Sequence, residues 1–259
     1  MKRLTLYAAT CAVLLAGCSQ PSYSQVSAGG EEFSAIALPA LPEKLDFAGE
    51  EVPLEYFDVR EALQRELLVT SYMHSGTFRT LLNMKRYFSV IEPILERNGI
   101  PDDFKYLCMA ESALNPETVS PAGAAGLWQF MPKTGREYGL AVGSQVDERY
   151  DIEKSTEAAC AYLRDAYERF GSWTLAAAAY NAGNAGVSRR MEIQGTENYY
   201  DTFLPQETMR YLYRILSLKI VGSDPEAYGF RLRGDDYYGP LDDYRTVEVS
   251  GRDIKWPEV

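Results

Sequence analysis

The 259-residue chain holds a single histidine, His74, and that scarcity removes most common nucleophilic chemistry at once. Cys-His and Ser-His-Asp systems need an imidazole to carry the proton, whereas His74 sits in "SYMHSG", which reads as a solvated turn. Neither the histidine nor the four cysteines fall at a zinc spacing, so no metal is expected. No Gly-rich loop of the Walker or dinucleotide type is present, and no cofactor is expected. Basic residues number 26 against 37 acids, for a net charge of -11. Without a run of Lys and Arg to meet phosphates, nucleic acid is not an expected partner. No internal repeat is found. What remains is ordinary for a globular protein, 46% hydrophobic and 24% charged, with 19 tyrosines that suit either a core or stacking on sugars.

The N-terminus is set apart from the fold. "MKRLTLYAATCAVLLAGC" has a basic start, an apolar stretch and a small-residue end, the shape of an export leader over residues 1–17. Its last four residues, Leu15-Ala16-Gly17-Cys18, resemble a bacterial lipobox, which implies cleavage before Cys18 and lipidation of its thiol. A plain secretory signal is the alternative. Ser19 after the lipidated position, by the enterobacterial sorting rule, implies the outer membrane, facing the periplasm of a diderm bacterium. The remainder is acidic, so acyl chains rather than charge would hold it to a membrane. Residues 18–52 are rich in Ser, Gly, Ala, Glu and Pro without a sustained period and read as a flexible tether. Cys108 and Cys160 then remain, each among small apolar residues of a helical pattern, and read as two buried thiols rather than a bridge.

Helical periodicity starts at Val59. Helices are expected over 59–73 and 77–99, the second kinked or interrupted before Pro93, and then from Pro101 to a stop at Asn115-Pro116. Further helices are expected over 151–171, 173–183 and from Pro205 to about Val221; the Gly- and Pro-rich segment between 120 and 140 cannot be one helix. "YRTVEVSG", residues 244–251, alternates like a short strand. The chain is therefore expected to be mainly α: a helical extension over 53–77, a principal domain over 78–222 and a polar tail over 223–259.

One position breaks the pattern. In "YLCMAESALNP", Phe104, Leu107, Cys108, Glu111 and Leu114 share one helical face, and all but Glu111 are apolar. A carboxyl there is costly to ionise, so its pKa rises toward neutrality and it can hold a proton for general acid work. An ion-paired structural glutamate fits the same periodicity.

Four segments in order decide between these. Glu111-Ser112 with Asn115-Pro116, then "SPAGAAGLWQFMP" from Ser120, then "AYNAG" from Ala179, then Leu204-Pro205 with Glu207-Thr208, together resemble the catalytic domain of lytic transglycosylases of the soluble-lytic-transglycosylase type, glycoside hydrolase family 23. "GLWQFMP" and "DERYD" most resemble the membrane-bound lytic murein transglycosylase D group, here without LysM repeats. The likeness implies a lysozyme-like fold and a peptidoglycan glycan strand as substrate. Glu111 would be the only catalytic acid/base, cleaving the MurNAc-GlcNAc bond to leave a 1,6-anhydromuramoyl end. Ser120, Gln129, Phe130, Met131, Tyr180, Asn181 and Tyr211 correspond to positions around the reacting sugars. Where the family continues "ETRNYV", this chain has "ETMRYLY". Asp147, Glu148 and Arg149 read as an ion-pair and capping cluster. A monomer is expected. A hydrolytic, goose-lysozyme-like muramidase is the rival enzyme, needing a second acid for which only Glu137 is at hand near Gln129–Gly139; a non-catalytic wall-binding lipoprotein is the other alternative.

Overall fold

The computed structural model describes residues 37–241; the leader, Cys18 and the strand expected over 244–251 lie outside the described residues. The mainly α class is observed. Helices α1 (Phe57–Tyr72), α2 (His74–Arg97), α3 (Phe104–Ser112), α4 (Pro132–Glu137), α5 (Ile152–Phe170), α6 (Trp173–Ala182), α7 (Asn184–Gln194) and α8 (Gln206–Ser223) follow one small ribbon, β1 (Asp46–Phe47) with β2 (Glu50–Glu51). Among the described residues no helix is long and apolar enough to cross a membrane.

The ribbon corrects the expected tether, which gives way to folded structure before residue 52. Its two-residue turn has Ala48 and Gly49 both at positive φ, the twist that suits a tight antiparallel hairpin. Phe47 is fully buried, its ring 5.2 Å from that of Phe104 on α3, and burying such a ring contributes about 1.5–3 kcal/mol. Glu50 then acts at a distance. Its carboxylate accepts from the backbone N–H of Trp173 (2.5 Å) and Thr174 (2.9 Å) and from Ser172 Oγ (2.8 Å), so an acid from the ribbon sits at the positive end of α6.

Helix α6 is central. Leu175 through Ala179 have no exposed surface, and a run of alanines lets α5, α7 and α8 approach it closely. Helix α1 lies along α8, joined by Glu66 to Arg210 Nε at 2.7 Å and by Thr70 Oγ1 to Ser217 Oγ at 2.7 Å. Helix α2 starts at His74, which is exposed at the helix's first residue rather than in a turn, and runs through Pro93 without a break. Proline removes one backbone donor there, but buried Ile91, Ile94 and Leu95 hold both sides of the position. Helix α7 was not expected; only Val187 of it is buried, so it carries almost no stripe. In the tail, Phe230 is buried with its ring 5.2 Å from Phe78, which draws the segment after α8 onto α2.

Candidate active site

Glu111 lies in the last turn of α3. Ala113 and Leu114 follow with φ of 52° and 55°, left-handed values that end the helix and swing the chain away. Leu114 stays fully buried although it has left the helix. Phe104, Leu107 and Cys108 are buried as expected, whereas Glu111 keeps some accessible surface, so the acid stands at the edge of the core and not within it. Packing on its other sides still desolvates the carboxylate. Burial pushes Glu111 up to about 7; a hydrogen bond from Tyr211 and the charge of Arg214 pull it down, and Glu207 pushes it up.

Helix α8 supplies those neighbours at successive turns. Tyr211 Oη donates to Glu111 Oε1 and, among the described residues, is its one hydrogen-bond donor. Burial and the adjacent carboxylate raise the Tyr211 phenol well above its ordinary value, so it stays protonated and remains a donor. Arg214, three residues on, escaped the reading of the sequence; its spacing from Tyr211 was the signal that could have found it. Tyr180, in the last turns of α6, has its phenol raised by burial first and by Glu111 next. It donates to the backbone oxygen of Trp128 at 2.8 Å and packs its ring 6.1 Å from Phe130. Asn181 accepts at Oδ1 from Thr208 Oγ1 at 2.8 Å, which ties the end of α6 to the start of α8.

The loop from Thr118 to Met131 is built as a rigid platform. Gly126 has φ of 82°, and a Cβ there would stand 1.8 Å from the carbonyl oxygen of Arg149, so only glycine fits. Buried Arg149 staples the loop: Nη1 donates to the carbonyls of Gly123 (2.7 Å) and Phe130 (2.9 Å), while Nε and Nη2 hold Asp147. Glu148 accepts from Ala141 N–H and Lys154. The cluster read from the sequence as ion-paired is ion-paired.

The remaining predicted residues divide. Ser120 Oγ accepts from Ala124 N–H at 3.0 Å, and Gln129 Nε2 donates to the carbonyls of Thr118 (2.9 Å) and Gly126 (2.8 Å). Both Gln129 amide protons are thus used inside the loop, leaving its Oε1 to accept from outside. Phe130 is buried, Met131 is exposed, and neither hydrogen-bonds Glu111. Trp128 is fully buried with Nε1 donating to Thr156 Oγ1 at 2.8 Å. Glu137 is exposed and lies 3.7 Å from Lys133, a solvated helix pair. Cys108 and Cys160 are both buried free thiols. Among the described residues no group of three or more His, Cys, Asp or Glu could hold a metal ion.

Residues 89–203 match the family model described as the Transglycosylase SLT domain. The chain is 33% identical over 198 residues to Membrane-bound lytic murein transglycosylase D of Escherichia coli, covering 73% of this chain and 43% of that one. It is 37% identical over 82 residues to Soluble lytic murein transglycosylase of Escherichia coli, covering 30% of this chain and 13% of that one. A solved structure, lytic transglycosylase Slt of Pseudomonas aeruginosa as an inactive mutant, aligns with TM-score 0.46 at 21% identity, over 70% of this chain and 33% of that one. The chain spans less than half the length of these relatives. Glu111 falls inside the matched segment and Tyr211 beyond its end. By these matches residues 89–203 carry a Transglycosylase SLT domain.

Proposed function

We propose that the protein is a peptidoglycan lytic transglycosylase that uses Glu111 as its only acid and base, on a lysozyme-like scaffold. Protonated Glu111 gives its proton to the glycosidic oxygen between MurNAc and GlcNAc, and the C1–O bond breaks with GlcNAc leaving as the alcohol. Positive charge at C1 is met by the carbonyl oxygen of the substrate's own N-acetyl group. The Glu111 carboxylate then takes the proton of the muramoyl C6 hydroxyl, whose oxygen bonds to C1 and closes the 1,6-anhydro ring. No water is consumed, and Glu111 ends protonated as it began.

The observation that carries this reading is one desolvated carboxyl, pushed up to about 7 and held by a single neutral donor, Tyr211. A group with that midpoint can both give and recover a proton near neutral pH, as the two half-reactions require. Tyr211 would keep Glu111 oriented through both steps. Tyr180 and Phe130 would wall the reacting sugar, and Ser120, Gln129 Oε1, Met131 and Asn181 would contact its neighbours. Lipidation of Cys18 would hold a monomeric enzyme at the outer membrane on its periplasmic side.

Digestion of purified murein followed by mass analysis of the muropeptides tests the reaction. Products lacking one water at the muramoyl end are expected. Reducing ends carrying that water would instead indicate a hydrolase.

A further inference from the structure

The ribbon of β1 and β2 ties three helices together, and they are the three that carry Glu111, Tyr180 and Tyr211. At α3, the buried ring of Phe47 lies 5.2 Å from that of Phe104, and the Ala48 N–H donates to Asp103 Oδ2 at 2.7 Å. At α8, Lys219 Nζ donates to the Asp46 carbonyl (2.8 Å) and to the same Asp103 Oδ2 (2.7 Å). At α6, Glu50 caps the first turn through the N–H groups of Trp173 and Thr174. The rings of Phe104 and Trp173, 5.4 Å apart, close the set.

Each grip sits at the helix end remote from Glu111. That acid is in the last turn of α3 and Tyr180 in the last turns of α6, whereas Tyr211 lies near the start of α8, which runs antiparallel to α3. Phe104 to Glu111, Trp173 to Tyr180 and Lys219 to Tyr211 are each about two turns, roughly 11 Å along the axis. A tie that far away acts on the site only through the helices. It can do so because α8 packs on both α3 and α6, and close-packed helices transmit a displacement rather than absorb it.

Resting on the transglycosylase reading, we infer that the ribbon is a positioning element for the reaction: by fixing the far ends of α3, α6 and α8 it sets Glu111, Tyr180 and Tyr211 around the reacting sugar. Lys219 and Glu50 are its positioning residues. The titratable groups facing Glu111 are Cys108 on its own helix, Tyr180 on α6, and Glu207, Tyr211 and Arg214 on α8. Neither Lys219 nor Glu50 is among them, so a change at either reaches the acid through packing and not through charge. Burial is the strongest influence on Glu111; loosened helices admit water and lower its midpoint, the opposite of losing Tyr211 alone.

The test compares the wild type with Lys219→Met, Glu50→Ala and, as a stability control, Phe230→Ala in the tail packed on α2. Both ribbon-contact variants should lose about fivefold to tenfold in kcat on murein while KM stays within about twofold, the scale of a displacement below about 1 Å. Their Glu111 midpoint, read by carbon-13 NMR without substrate, should fall from the wild-type value of about 7. Phe230→Ala should lower Tm at least as far and change neither kcat nor midpoint. In Glu50→Ala, Ser172 Oγ still accepts from the Leu175 N–H at 3.3 Å, so α6 keeps a cap and the variant stays folded for the measurement. Wild-type kcat and midpoint in the two ribbon-contact variants, or losses in Phe230→Ala as large as theirs, would overturn the inference. The midpoint needs no turnover: a wild type that yields no anhydro products would count against the transglycosylase reading alone, and the midpoints would still decide for or against the ribbon.

Discussion

Two acidic places in the molecule lie on either side of the same loop and behave in opposite ways. Around Asp147 and Glu148 every carboxylate has partners: hydrogen bonds from Arg149 hold Asp147 below its ordinary range, and those from Lys154 and Ala141 N–H do the same for Glu148. At Glu111 burial wins, because one phenol and a more distant guanidinium do not offset the water that packing has removed. The contrast separates use from support. A carboxylate with a full set of donors stays charged and fixes a loop, whereas one left short of donors keeps a proton it can give away.

Exchanging the partners should break this contrast, most severely at Glu111. Glu111→Gln keeps the shape and removes the transferable proton, so turnover on murein should fall by about 10²- to 10⁴-fold while circular dichroism is unchanged. Arg149→Ala should act on the other side. It removes the guanidinium from Asp147, which keeps only the backbone N–H of residue 149, and from the Gly123 and Phe130 carbonyls, at a cost of about 3–5 kcal/mol in chemical denaturation. The acid also sets a pH dependence. Its folded pKa near 7 lies above the 4.5 of a free carboxyl, so between these values the native state binds more protons than the unfolded one and stability falls as pH rises. Glu111→Gln should therefore match the wild type near pH 4 and exceed it by up to about 3 kcal/mol at pH 8, measured by thermal unfolding across that range. Tyr211→Phe is the mildest change. Loss of a hydrogen bond that favours the carboxylate should raise the Glu111 midpoint, move the alkaline limb of the rate profile upward and slow turnover about tenfold.

Much of the site could be read before the fold was known, because its marks are local. Glu111 betrayed itself by breaking an apolar stripe, and the arginine cluster by clustering acids and bases over three residues. Elements whose logic is long-range stayed hidden. The ribbon at Asp46–Glu51 is too short to show alternation, and Glu50 earns its place only by capping a helix more than a hundred residues away. Helix α7 starts at Asn184, preceded by Gly183 with no side-chain cap, and buries little, so neither a start signal nor a stripe announces it. Arg214 lies beyond the segment that carries the family motifs, and its effect on Glu111 exists only once α8 packs on α3. Periodicity overstates the burial of Glu111 for a related reason: it gives the face of a helix, not how near its end the core stops.

The most direct measurement is a titration of the Glu111 carboxyl in the folded protein, by carbon-13 NMR of selectively labelled glutamate with Glu111→Gln as the assignment control. A midpoint near 7, matched by the alkaline limb of cleavage, is the expected result. A midpoint near 4.5, with cleavage indifferent to pH between 5 and 8, would mean that no proton is stored at this position and that the chemistry lies elsewhere.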